Sequence, residues 1–228
     1  SNQNFGSIGP VMSYRNLNKE YSSNFVAAKT CYGYDQEDLL IEFSGMRSEC
    51  GLMEKKLLKS IGGWSFIPGA GGEEFILGHN IMKAGKKNII TKNTNYSTFY
   101  DNLYSRCKTI IFRTSAYLPI LIDRKKFESR GAFATLNQSL STLITSLLIL
   151  VIILSNFINE LGILAIILFI SNLLIELSFL RFCMKHYKKH DLLIYIMGIF
   201  AVNISIVIGV LVGIYKLSFP LKNIKYKK

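Results

Sequence analysis

Apolar positions crowd into three long runs in the second half of the chain. Residues 133–159 include no charged side chain, residues 161–180 include only Glu176, and residues 192–215 again include none. A transmembrane helix needs about 20 mostly apolar residues, each rising roughly 1.5 Å, and every one of these runs is long enough. Residues 1–132 instead mix polar and apolar positions, with many charges and Gly-rich turns. The pattern predicts a soluble-type module joined to a bundle of about three membrane helices with a basic tail.

Within the first part, residues 7–13 carry Ile8, Val11 and Met12 but are broken by Gly9-Pro10, which suits a strand edge or a turn. Residues 35–43 mix acids with Leu39, Leu40 and Ile41. Leu52, Met53, Leu57 and Leu58 recur at helical spacing, so residues 51–61 read as a helix stopped by Gly62-Gly63. After a Gly-rich loop, residues 73–84 read as a second helix ending at Gly85, and residues 88–91 as a strand. This alternation is that of an α/β layer.

A third helix is expected over residues 98–118. Thr98-Phe99-Tyr100-Asp101 has the form of a capping box. Phe99, Leu103, Cys107, Ile110, Thr114 and Leu118 make a stripe at spacings of three and four, while Arg106, Lys108 and Arg113 fall off it. A basic amphipathic helix just before membrane spans suits the interface plane; packing on the soluble core is the alternative. The chain so divides into a catalytic-type α/β part (1–97), an interfacial helix and hinge (98–132), and the membrane bundle (133–228).

Charge sharpens this division. The net charge is +12, and the basic residues of the second half sit in loops: Arg181, Lys185, Lys188 and Lys189 between two runs, and Lys222, Lys225, Lys227 and Lys228 in the tail. Basic loops beside apolar spans favour the cytoplasmic side and anionic headgroups, and nothing points to a nucleic-acid partner. Three crossings would put the basic tail on the opposite side from the basic loop, so either the tail breaks the rule or the third run is no simple crossing. Four scattered cysteines and three histidines make neither a disulfide framework nor a metal site. The chain begins Ser1-Asn2-Gln3-Asn4 without the basic and apolar regions of a signal peptide, and reads as one entered partway.

The densest chemistry lies at Gly69-Ala70-Gly71-Gly72-Glu73-Glu74-Phe75. An acid placed after a flexible loop can act as a general base toward a bound hydroxyl. The same acids also suit the first turn of a helix, where the dipole stabilises each by about 0.3–1 kcal/mol.

The segment running from Cys50-Gly51-Leu52-Met53 to Gly62-Gly63-Trp64, followed by Glu73-Glu74-Phe75-Ile76-Leu77, resembles the later catalytic half of membrane family-2 glycosyltransferases, ceramide glucosyltransferases above all. Gly6-Ser7-Ile8-Gly9-Pro10-Val11, Ser105-Arg106-Cys107, Tyr117-Leu118-Pro119 and the basic tail resemble further parts of that family in the same order. The resemblance implies a partial glycosyltransferase-A-like α/β segment followed by an all-α transmembrane bundle. It implies inverting transfer from a nucleotide sugar, such as UDP-glucose, to a ceramide-like lipid at the cytosolic face of a membrane, Golgi or endoplasmic reticulum in a eukaryote. Glu74 takes the place of the catalytic base with Glu73 beside it. Arg106 takes the first position of an Arg-x-x-Arg-Trp motif on the phosphate side, and Trp64 lies where it could line the acceptor site.

The likeness has gaps. Glu in place of Asp shifts the carboxylate by about 1 Å, and a misplacement of that size can lower a rate on the order of 100-fold. The Arg-Trp of the motif becomes Thr109-Ile110. The divalent cation, Mg or Mn, that the family uses is held by Asp motifs without counterparts in these residues, so a longer enzyme or a degenerate, non-catalytic membrane relative is expected. A small transporter is the other class, with Asn137, Gln138, Asn172 and Asn203 lining a polar path or simply bonding between helices. Glu176 lies near Arg181, and His79 follows the acidic pair on the surface of its helix.

Overall fold

The computed structural model describes residues 4–18, 20–34, 40–43, 45–47, 49–64, 73–124, 135–187 and 191–218. The loop before Glu73, the later part of the hinge, residues 188–190 and the basic tail lie outside them. The chain runs β1 (Phe5–Asn16), α1 (Tyr21–Tyr32), β2 (Leu40–Phe43), β3 (Leu52–Met53), α2 (Lys55–Ser60), α3 (Glu73–Lys83) and β4 (Lys87–Thr98). It continues with α4 (Leu103–Arg124), α5 (Leu136–Ser155), α6 (Leu161–Ile175), α7 (Leu177–His186) and α8 (Leu192–Ser218).

The strands form one mixed sheet in the order β2-β4-β1-β3. β1 and β4 are parallel at its centre, with Ile8 opposite Ile89 and Gly9 opposite Ile90. The short strands β2 and β3 flank them antiparallel. The segment around residues 7–13 is thus a central strand rather than an edge or a turn. Pro10 is tolerated there because the register slips next to it, from Pro10 opposite Thr91 to Val11 opposite Asn95. A proline without an N–H is at home at such an irregularity. Ser7 Oγ donates to Asn88 Oδ1 (2.7 Å) and Asn88 Nδ2 to the Gly78 carbonyl (3.0 Å), which fastens α3 to the sheet centre.

Three expected helices change their bounds. Leu52 and Met53 leave the helix expected over 51–61 and join the sheet, leaving the six residues of α2. Gly62 and Gly63 close α2 with positive φ, and Gly85 closes α3 in the same way. β4 extends to Thr98, so Thr98 is no helix cap. Asn102 caps α4 instead, its Oδ1 accepting from the Ser105 N–H (2.9 Å). The second apolar run breaks at Glu176 into α6 and α7, bent by 56°.

The largest core lies where the sheet layer meets the bundle. It joins Phe25, Val26, Ala27 and Ala28 of α1 to Phe179 and Cys183 of α7 and to Tyr195, Ile199 and Val202 of α8. α4 runs beside α8 over several turns, with Thr114 and Ile111 at Gly209 and Leu118 and Ser115 at Gly213. Two glycines four apart let the helices approach closely, as small residues do in membrane bundles. Among the described residues α5 and α8 are each long and apolar enough to cross a membrane, and the bent α6–α7 pair would make a third span, which fits a membrane protein.

Candidate functional site

α3 and α4 lie side by side and are joined by three successive contacts. Arg113 Nη2 lies 3.4 Å from Glu74 Oε1. One turn on, the rings of Phe75 and Tyr117 pack at 4.9 Å between centroids. At the far end Asp123 accepts from His79 Nε2 (2.9 Å) and pairs with Lys83 Nζ (2.8 Å). His79 is thereby tied to Asp123 and is not among the residues that line the cavity described next. The Met46 N–H donates to the Glu74 carbonyl (3.1 Å), which holds the loop after β2 against the start of α3.

Glu74, Arg113, Phe75, Tyr117 and Met46 line a cavity of about 390 Å³. Glu74 and Arg106, 32 positions apart in the chain, both line it. So do Arg47 from the loop after β2 and Arg113 from α4, neither of them singled out by the resemblance as a site residue. The bundle also lines it, through Gln138, Ser139 and Thr142 of α5 and Ile206 and Val210 of α8. Glu73 and Trp64 are not among the lining residues; Trp64 is 47% exposed beyond the paired glycines.

The charged walls are unequal. Three arginines face the cavity, while of the three carboxylates that line it Glu49 and Asp101 are exposed and only Glu74 is sheltered, its side chain 15% accessible. Arg106 Nη2 donates to Thr30 Oγ1 (2.8 Å), whose own hydroxyl donates to the Val26 carbonyl (2.8 Å). This anchors the guanidinium on α1. Burial, then the neighbouring positive charge of Arg113, pushes the Arg106 pKa down to about 10, so it remains a cation near neutrality. Arg47 stacks over the Tyr34 ring at 4.8 Å. Tyr100 donates to the Ser13 carbonyl (2.6 Å), and burial raises its phenol so that it stays protonated.

A cavity lined both by guanidinium and carboxylate groups and by apolar side chains such as Leu118, Leu121, Ile206 and Val210 suits an amphiphile. It satisfies the polar head and shelters the apolar body from water. Among the described residues no group of three or more His, Cys, Asp or Glu stands together to hold a metal ion. The donor set for the implied cation is therefore not found in these residues.

Arg113 is one of the two cations, with Lys108, that the sequence offers either for a diphosphate or for a solvated helix face; the structure places Arg113 on the cavity, where Arg106, Ile110, Arg113 and Tyr117 follow at spacings of four, three and four. Along α4, Thr114 and Leu118 meet both α8 and the cavity, Arg106 meets the cavity and α1, and Arg113 and Tyr117 meet the cavity and α3. The chain matches no family model, no curated protein and no solved structure. Its functional reading rests on its own residues.

Proposed function

We propose that the chain transfers a sugar from a nucleotide sugar to the hydroxyl of a ceramide-like lipid, with Glu74 as the general base. The observation that carries this reading is the meeting of Glu74 and Arg106 in one amphiphilic cavity walled by membrane-bundle residues. In the reaction the lipid O–H gives its proton to the Glu74 carboxylate while its oxygen bonds to the anomeric carbon. The bond from that carbon to the phosphate oxygen breaks, the electron pair leaves with the nucleoside diphosphate, and the configuration inverts. Arg106 faces the departing negative charge, which preorganised cations stabilise. The apolar wall holds the lipid chain, so that the hydroxyl is delivered at the membrane boundary.

The test uses membranes from cells making the full-length reading frame, supplied with labelled UDP-glucose and ceramide. Glu74→Gln is expected to abolish glycolipid formation while the protein still inserts. Activity near the parent level in that variant removes Glu74 as the base.

The closeness of Glu74 to Arg113 supports a second reading, a membrane relative that binds lipid without chemistry. That reading predicts saturable ceramide binding with no labelled product in the same membranes.

A further inference from the structure

Glu74 and Arg113 meet across the gap between two helices, and the details of the meeting are unusual. The separation of 3.4 Å is long for a charge-assisted hydrogen bond, which favours about 2.7–2.9 Å. The Arg113 side chain is 37% accessible, so its terminal nitrogens reach the open cavity, while its Nε is buried and finds no hydrogen-bond partner among the described residues. Arg106, on the same face of α4 two turns earlier, is held in place by Thr30. Arg113 therefore has one loose anionic partner, one unmet donor and a fixed cation pressing on it. The other ionisable groups facing this space are Arg47, Glu49 and Asp101 from the flanking loops, with the phenols of Tyr34, Tyr100 and Tyr117.

We propose that Arg113 is a positioning residue shared between Glu74 and an incoming phosphate-bearing ligand: an anion entering the cavity draws the guanidinium from Glu74 to itself. The geometry favours the exchange because a phosphate offers Arg113 two acceptor oxygens in the fork arrangement a guanidinium prefers. Coupled to the transfer reaction, the exchange imposes an order: the anionic ligand seats and takes Arg113 before Glu74 acts as base. This last consequence rests on the reading of Glu74 as base; the exchange itself does not.

Competition for one guanidinium has a thermodynamic signature that ordinary repulsion lacks. If Glu74 and the anion compete for Arg113, removing the Glu74 charge tightens anion binding through Arg113, and the gain vanishes once Arg113 is gone. Calorimetry on the detergent-solubilised chain, with inorganic diphosphate and no metal, measures this in the parent, Glu74→Gln, Arg113→Gln and the double variant. Glu74→Gln is expected to tighten diphosphate binding about tenfold in the parent background and less than about twofold in the Arg113→Gln background. Arg113→Lys should keep part of the coupling, which distinguishes a shared cation from a merely structural side chain.

Equal tightening in both backgrounds, or none in either, overturns the proposal. A second arm replaces diphosphate with phosphatidic acid in mixed micelles: coupling with diphosphate alone assigns a soluble phosphate ligand, and coupling with phosphatidic acid alone assigns a lipid headgroup. Coupling without any sugar transfer keeps the exchange and removes the catalytic reading instead.

Discussion

Lys29 Nζ lies 3.0 Å from Glu176 Oε2, both side chains less than a tenth exposed, at the break between α6 and α7. The pair joins the first helix of the sheet layer to a break in an apolar segment, 147 positions away. Lys29 also lies over the Phe179 ring at 4.6 Å. An acid in such a segment is costly unless partnered, and its partner is Lys29 rather than the nearby Arg181.

Breaking a buried pair leaves one charge uncompensated, which costs about 3–5 kcal/mol, whereas replacing both members with apolar residues is often neutral. Lys29→Met is therefore expected to destabilise the detergent-solubilised protein by about that amount. Lys29→Met combined with Glu176→Leu should recover most of the loss. Chemical denaturation followed by circular dichroism checks both. A double variant as unstable as the single would show that the pair is not the source of the effect.

The seam between α4 and α8 leads to a second expectation. A Cβ on Gly209 would come within 2.7 Å of Thr114 Cβ and 2.9 Å of the Ile111 carbonyl oxygen, and one on Gly213 within 2.9 Å of Leu118 Cδ2. The first meets backbone, which yields less than a side-chain tip. Overpacking typically costs about 1–3 kcal/mol, so Gly209→Val should fall at or above the top of that range and Gly213→Ala near the bottom. Protease sensitivity of α4 should follow the same order; similar behaviour of the two variants would count against the close approach.

The contrast between these helices shows what can be read from the chain alone. α3 was legible because a Gly loop, two first-turn acids, helical spacing and a closing Gly85 all agree. The apolar runs were legible by length. α1 was not: it is buried on nearly all sides, including Ser23, Lys29 and Thr30, so no amphipathic period marks it. The break at Glu176 and the partner of Glu176 both depend on α1. Of the cavity, Glu74 was marked by its place after the Gly-rich loop and by a resemblance, and Arg106 by the resemblance alone. Arg47, Arg113 and the α5 and α8 walls come together only through the α3–α4 contacts and the core around α1, which no local pattern encodes.

Asn203 is the hub of the polar core of the bundle, and its direction can be deduced. The Thr145 hydroxyl donates to the Ser141 carbonyl (2.9 Å), so its oxygen is left to accept from Asn172 Nδ2 and Asn203 Nδ2. The Asn203 amide is thereby oriented, and its Oδ1 accepts from Gln138 Nε2 (2.6 Å) and Thr142 Oγ1 (3.3 Å). Asn203→Leu strips partners from several buried groups at once. Individual interhelical hydrogen bonds in membranes average about 0.6 kcal/mol, and orphaned partners add to the loss, so a total of about 2–3 kcal/mol is expected. Unfolding in mixed micelles measures it, and a change under about 0.5 kcal/mol would mean that the network is not formed in the membrane.

The tie between α3 and α4 should respond to acid. Hydrogen bonds from Lys83 and His79, with the charge of Lys83, hold the Asp123 carboxyl below its ordinary range. A folded-state pKa below the unfolded value contributes stability that is present above the unfolded pKa, about 3.9 for aspartate, and is lost as pH falls through the folded value. Because Asp123 is fully exposed, salt should weaken the effect. Hydrogen exchange at the C-terminal end of α3 is therefore expected to quicken as pH drops below about 4, after correction for intrinsic rates. In Asp123→Asn the exchange should be faster at neutral pH and lose that acid dependence. An acid transition unchanged in Asp123→Asn would show that Asp123 is not its source.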